Sequence, residues 1–99
     1  MTKFLVLYRA DATAAEQMAN STPEQRQDGM KAWMDWFGKA GSAVVDGGSP
    51  LSADGDKTIT GYSILQADSR DALNAILDGH PHTHVGTLEV LEALPMPGM

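Results

Sequence analysis

All three histidines of this 99-residue chain stand at alternating positions in His80-Pro81-His82-Thr83-His84. Histidine has an ordinary pKa close to neutral pH and is the commonest metal ligand, so the cluster invites two chemistries. Pro81 biases His80 towards extended backbone. If the extension continues, strand periodicity puts His80, His82 and His84 on one side, where they would face a divalent cation such as Zn²⁺. A compact metal site would still need a remote ligand, Asp46 or Glu89. The other chemistry is proton transfer by His80 as general acid or base. A third reading makes the segment a polar connection in which His80 hydrogen-bonds the last carbonyls of a preceding helix.

Composition narrows the choice. Thirteen acidic against seven basic side chains give a net charge of −6, with no basic stripe, which opposes binding to nucleic acid or to an anionic membrane surface. There is no cysteine, so thiolate metal sites, disulfides and cysteine nucleophiles are excluded. The apolar run Phe4 to Tyr8 is too short for a signal-peptide core or a membrane span, and a cytoplasmic location is the simplest expectation. The length suits one domain over residues 1–99.

The positioning elements follow from periodicity and punctuation. Residues 3–9 read as a strand with apolar side chains on both faces: Phe4, Val6 and Tyr8 on one, Leu5 and Leu7 on the other. A short helix over residues 12–19 follows. Thr22, Pro23 and Gln25 form a capping box with proline at the first helical position, and Gly41 ends that helix. Met30, Trp33, Met34 and Phe37 form its expected apolar stripe, with Trp36 off centre. Residues 43–45 make a short strand closed by Asp46-Gly47-Gly48, and residues 57–66 a longer one. Asp68 or Ser69 starts a second strong helix with the stripe Ala72, Leu73, Ile76 and Leu77, which Gly79 and Pro81 stop. Residues 87–94 read as the last strand.

The order β-α-β-β-α-β, with an extra helical turn early, is an α+β arrangement of the ferredoxin-like kind: a four-stranded antiparallel sheet with its helices on one face. The strands at 3–9 and 58–66 are apolar on both faces, so the uncovered face calls for a partner. A homodimer with its sheets face to face, enclosing a small cavity, is the expected solution.

Lys3-Phe4-Leu5-Val6-Leu7-Tyr8, Val45-Asp46-Gly47-Gly48, Gly61 to Ser69, the Gly79-His80-Pro81 turn and the strand Glu89-Val90 to Leu94-Pro95 together resemble the YCII-related family. The resemblance implies a dimeric ferredoxin-like α/β barrel. One branch of that family pairs a histidine early in the first long helix with an aspartate before the proline that follows the second helix. Here His80 precedes Pro81 and the first long helix has no histidine, so that pair does not transfer. A swapped pair, with Asp28 or Asp35 meeting His80, is the corresponding expectation. Tyr8, Arg9, Tyr62, Asp46 and Trp36 are the residues expected to anchor or enclose a small polar or anionic organic molecule. No cofactor is expected beyond a divalent metal at the histidines. The alternatives to catalysis are a metabolite-binding module and a purely structural interaction protein.

Overall fold

The computed structural model describes residues 1–95, without the side chains of Ala14, Ala15 and His84. Strand β1 (Thr2–Arg9) is followed by helices α1 (Ala14–Asn20) and α2 (Pro23–Ala40), strands β2 (Val44–Asp46) and β3 (Ile59–Ala67), helix α3 (Arg70–Leu77) and strand β4 (Thr87–Glu92). The sheet order is β2-β3-β1-β4 with every neighbouring pair antiparallel, the split βαβ topology expected from the element order.

Each helix starts where its cap is written. Thr22 accepts from the Gln25 amide while the Gln25 side chain accepts from the Thr22 amide, completing the capping box ahead of Pro23. Ser69 accepts from the Ala72 amide and starts α3. At the far end of α2, Gly41 adopts φ 56° and its N–H reaches the Phe37 carbonyl.

Alternation along the strands then selects the core. Phe4, Val6 and Tyr8 of β1 and Ser63, Leu65 and Ala67 of β3 are buried against the helices, where Leu73 and Leu77 of α3 meet them. The contribution of α2 differs from the expected stripe. Met30 and Met34 are 66% and 61% exposed, whereas Trp36 is 4% exposed. The helix turns Trp33, Trp36, Phe37 and Ala40 to the core, which is the same i, i+3, i+4, i+7 spacing rotated towards the aromatic side chains. A large flat indole removes more apolar area from water than a flexible thioether chain, and its N–H needs a partner when buried. Trp36 Nε1 finds one, donating to the Ile76 carbonyl of α3 at 3.2 Å.

The other face of the sheet carries Leu5 and Leu7 of β1, opposite Ile64 and Tyr62 of β3. Leu91 and Glu89 of β4 complete the row. None of these side chains is buried, and Leu91 is 49% exposed. The body is only 17 Å through its thinnest axis, the depth of one sheet plus one layer of helices. No helix among the described residues is long and apolar enough to cross a membrane.

Candidate functional site

The histidine segment is not extended beyond His80. His80 has φ −58° and ψ 133°, as its place before proline requires, and Pro81–His84 then close into a 3-10 turn. Two side chains favour the turn over a strand. The His80 ring takes the place of a cap, its Nδ1 accepting from the His82 amide at 3.0 Å. Thr83 Oγ1 donates back to the His80 carbonyl at 2.7 Å. The backbone of the segment is therefore a turn and not a strand, so the strand alternation on which the expected metal site was built does not apply.

His80 and His82 nonetheless fold inwards together. Both are buried, and they flank the Tyr8 ring at centroid distances of 5.1 and 5.2 Å. His80 is fully enclosed, at 0% exposure, by Tyr8, Trp33 and Trp36, with the two indoles at 4.7 and 4.3 Å. His82 Nε2 donates to the Arg9 carbonyl at 2.8 Å. Gly86 is what permits that approach: a Cβ there would stand 1.9 Å from the Arg9 carbonyl oxygen and 2.8 Å from His82 Nε2.

Beneath His80 runs a chain of hydrogen bonds whose direction is forced at both ends. The Gly47 carbonyl only accepts, so Ser63 Oγ donates to it, at 2.8 Å. Tyr8 therefore donates to Ser63 Oγ at 2.5 Å, and its oxygen accepts from His80 Nε2 at 3.2 Å. At the other end the His82 amide only donates, so His80 Nδ1 is an acceptor. His80 is thereby set as the neutral Nε2–H tautomer, a donor towards Tyr8. Burial, reinforced by the neighbouring His82, pushes the His80 pKa down from 6.5 to about 4, so the ring stays neutral at pH 7. Burial also raises the Tyr8 phenol above its ordinary value, against the opposing effect of its Ser63 hydrogen bond. Among the described residues no buried side-chain nitrogen or oxygen lacks a partner.

The expected carboxylate partners of His80 are not there. Asp28 and Asp35 are exposed on α2, and both ring nitrogens of His80 are taken by Tyr8 and His82. The swapped pair fails because α2 presents indoles, not carboxylates, to the histidine. Asp35 instead lies on a shallow depression of about 260 Å³ between α2 and the turn, lined also by Ala32, Trp36, Lys39, Gly79 and Pro81. Trp36 is thus the wall between this depression and His80.

The remaining expected site residues divide between the two faces of the sheet. Tyr8 and Trp36 join the histidines on the helical face. Tyr62 lies on the open face, across the sheet from His80, so a cavity on the open face would not contain the imidazole. Arg9 is held at the end of that face by Asp56 at 3.1 Å, Glu89 at 3.3 Å and Thr58 Oγ1 at 2.5 Å. Two hydrogen bonds from Thr58 and one from Arg9 hold the Asp56 carboxyl down at about 2. Asp46 caps its own turn, accepting from the Gly48 amide at 2.7 Å. Of the metal pair, His82 commits Nε2 to the Arg9 carbonyl, and the side chain of His84 lies outside the described residues. Among those residues no group of three or more histidine, cysteine, aspartate or glutamate side chains is arranged to hold a metal ion. Ser63 was not anticipated. Its only sequence signal was its place on the core-facing side of a strand, where a hydroxyl needs a partner.

The model of the YCII-related domain matches residues 2–97. The chain belongs to this family. No curated protein sequence matches it. Among solved structures it is similar to 5-chloro-2-hydroxyhydroquinone dehydrochlorinase from Burkholderia phenoliruptrix, in complex with 2,5-dihydroxybenzoquinone. The identity is 23%, 90% of each chain is covered, and the TM-score is 0.55. At that identity the likeness establishes the fold. In this YCII-related chain, Gly79-His80-Pro81 stands at the exit of α3 and seats its histidine under α2.

Proposed function

We propose that this YCII-related protein binds and transforms a small polar or anionic organic molecule beside α2, with His80 as the proton-transfer group. The observation that carries the reading is the directed chain from His80 through Tyr8 and Ser63 to the Gly47 carbonyl, lying one indole away from a solvent-facing depression. Lys39 on the rim supplies a positive charge for an anionic group, and Trp36 supplies a flat apolar wall. His80 offers a neutral imidazole of defined tautomer, suited to proton-transfer chemistry of the lyase, isomerase or hydrolase kind. The structural neighbour holds 2,5-dihydroxybenzoquinone, a small organic molecule of the proposed class.

One observation favours a second reading. His80 has no exposed surface, so in this conformation a ligand in the depression touches Trp36 and not the imidazole. A binding module that never turns its ligand over would need nothing more. Calorimetric titration with 2,5-dihydroxybenzoquinone and a panel of small carboxylates, followed by product analysis, separates the two. The proposal expects binding that weakens severalfold in Lys39→Ala and conversion that disappears in His80→Asn. Binding without conversion supports the module. Neither binding nor conversion with any member of the panel overturns both.

The open sheet face is assigned to a second copy of the chain. Leu5, Leu7, Tyr62, Ile64 and Leu91 make it apolar across β3, β1 and β4, and a two-fold interface can be built from such a patch meeting itself. Sedimentation at micromolar concentration should show a dimer that Leu7→Lys splits without unfolding the protomer. A wild-type monomer would refute the assignment.

A further inference from the structure

We propose that the segment from Gly79 to Gly86 is an acid-operated latch, released when a second proton on His80 Nδ1 meets the backbone N–H of His82. The turn alone supplies the latch, whether or not a ligand binds beside α2. His80 Nδ1 accepts from that amide at 3.0 Å, and this contact is the cap of the 3-10 turn. A proton on Nδ1 would set two donors against each other across that 3.0 Å contact. The other ring nitrogen offers no escape, because it already carries the proton donated to Tyr8, and the Tyr8 hydroxyl is committed to Ser63.

The surroundings do not compensate the charge. From β1 the imidazole faces Tyr8, from α2 it faces the uncharged rings of Trp33 and Trp36, and within its own segment it faces His82. Asp35 and Lys39 of α2 are exposed at the rim of the depression, beyond Trp36. Asp56 and Glu89 are bound to Arg9. His82, the histidine whose amide caps onto His80, disfavours a charge on that ring, which is one of the two causes of its depressed pKa.

A glycine bounds the segment at each end. Gly79 has φ 77°, a left-handed conformation that glycine adopts without strain, with nothing within 4 Å of where a Cβ would be. At the other end Gly86 lies tight against the Arg9 carbonyl, and between the two glycines the segment is anchored by its buried rings, His80 on Tyr8 and His82 on the Arg9 carbonyl, so a charge on His80 acts on one of these two anchors. Gly79 and Pro81 are walls of the depression beside α2, so release would join that depression to the space occupied by His80.

Amide hydrogen exchange on the whole protein between pH 7 and pH 4, expressed as protection factors, tests the latch. The expected result is a loss of at least tenfold at Thr83, Val85 and Gly86, while Val6 and Leu65 in the sheet keep their protection. In His80→Asn, whose amide oxygen can still cap the turn but does not titrate, the three amides should stay protected at pH 4. The imidazole C–H resonances of the wild type provide a readout independent of that variant's folding: the midpoint of His80 should coincide with the loss of protection. Retained protection at pH 4, simultaneous loss in the sheet, or a midpoint that follows His82 would each overturn the proposal.

Discussion

The Nδ1 of His80 lies 3.0 Å from the backbone nitrogen of His82, and this contact orders the hydrogen bonds beneath it in the same sense as the Gly47 carbonyl at their far end. Because an amide N–H cannot accept, the imidazole proton sits on Nε2, the Tyr8 hydroxyl turns to Ser63, and Ser63 turns to Gly47. A two-residue spacing that suggested strand geometry in fact places one histidine as the cap of the turn containing the other. Nitrogen-15 spectra of the imidazole should show His80 as the Nε2–H tautomer at pH 7. The Nδ1–H tautomer would mean that the turn is not capped in this way.

Removing the middle of the chain should be costly. Tyr8→Phe keeps the ring but leaves the His80 Nε2–H facing no acceptor in a buried space, a loss of about 1–3 kcal/mol. For a domain of this size, about 1 kcal/mol moves the melting temperature by roughly 4–8 °C, so calorimetry will register the change. An unchanged melting temperature would show that the chain does not contribute to stability.

Two glycines give opposite expectations for the same substitution. Gly86→Ala would place a methyl group 1.9 Å from the Arg9 carbonyl oxygen, forcing the turn off β1 and costing several kilocalories per mole or the fold itself. Gly29→Ala, in the middle of α2 with nothing within 4 Å of the new Cβ, should stabilise the protein by about 0.5–1 kcal/mol. Urea unfolding of the two variants checks both signs. A tolerated Gly86→Ala would mean that Gly86 does not lie against the Arg9 carbonyl.

Stability should depend on acid through His80. Its pKa in the folded protein is about 4, against an ordinary 6.5, so as pH falls the unfolded chain takes the proton first. The contribution of the neutral ring is complete above pH 6.5, declines between pH 6.5 and pH 4, and is gone below that. The full difference corresponds to about 3 kcal/mol, and release of the latch caps the loss at the cost of opening the turn. Urea unfolding at intervals from pH 7 to pH 4 should trace this fall in the wild type, with a smaller fall in His80→Asn. Parallel curves would place the acid sensitivity elsewhere.

The parts of the fold that were legible in the sequence are those governed by local rules. The Thr22-Pro23-Gln25 capping box, the alternation of β1 and β3 and the stripe of α3 each name their own conformation, and all appear. What misled were features decided by tertiary packing. Nothing in the period of α2 distinguishes a methionine stripe from the aromatic one beside it; the sheet chooses the indoles. The alternating histidines satisfied strand periodicity, yet a ring nitrogen of His80 could cap a turn, and that local bond prevails. Ser63 carried no motif, because its role exists only once Tyr8 and Gly47 are brought to it from distant parts of the chain.

If the His80 chain and the depression beside α2 form one functional site, a ligand in the depression must be felt at the imidazole. Chemical-shift mapping with 2,5-dihydroxybenzoquinone tests it most directly. Saturable shifts are expected at the Trp36 indole, Lys39, Gly79 and the His80 ring, with the open-face residues Leu7, Tyr62 and Leu91 unmoved. Shifts confined to those open-face residues, or none at His80 and Trp36 at saturating ligand, would contradict it.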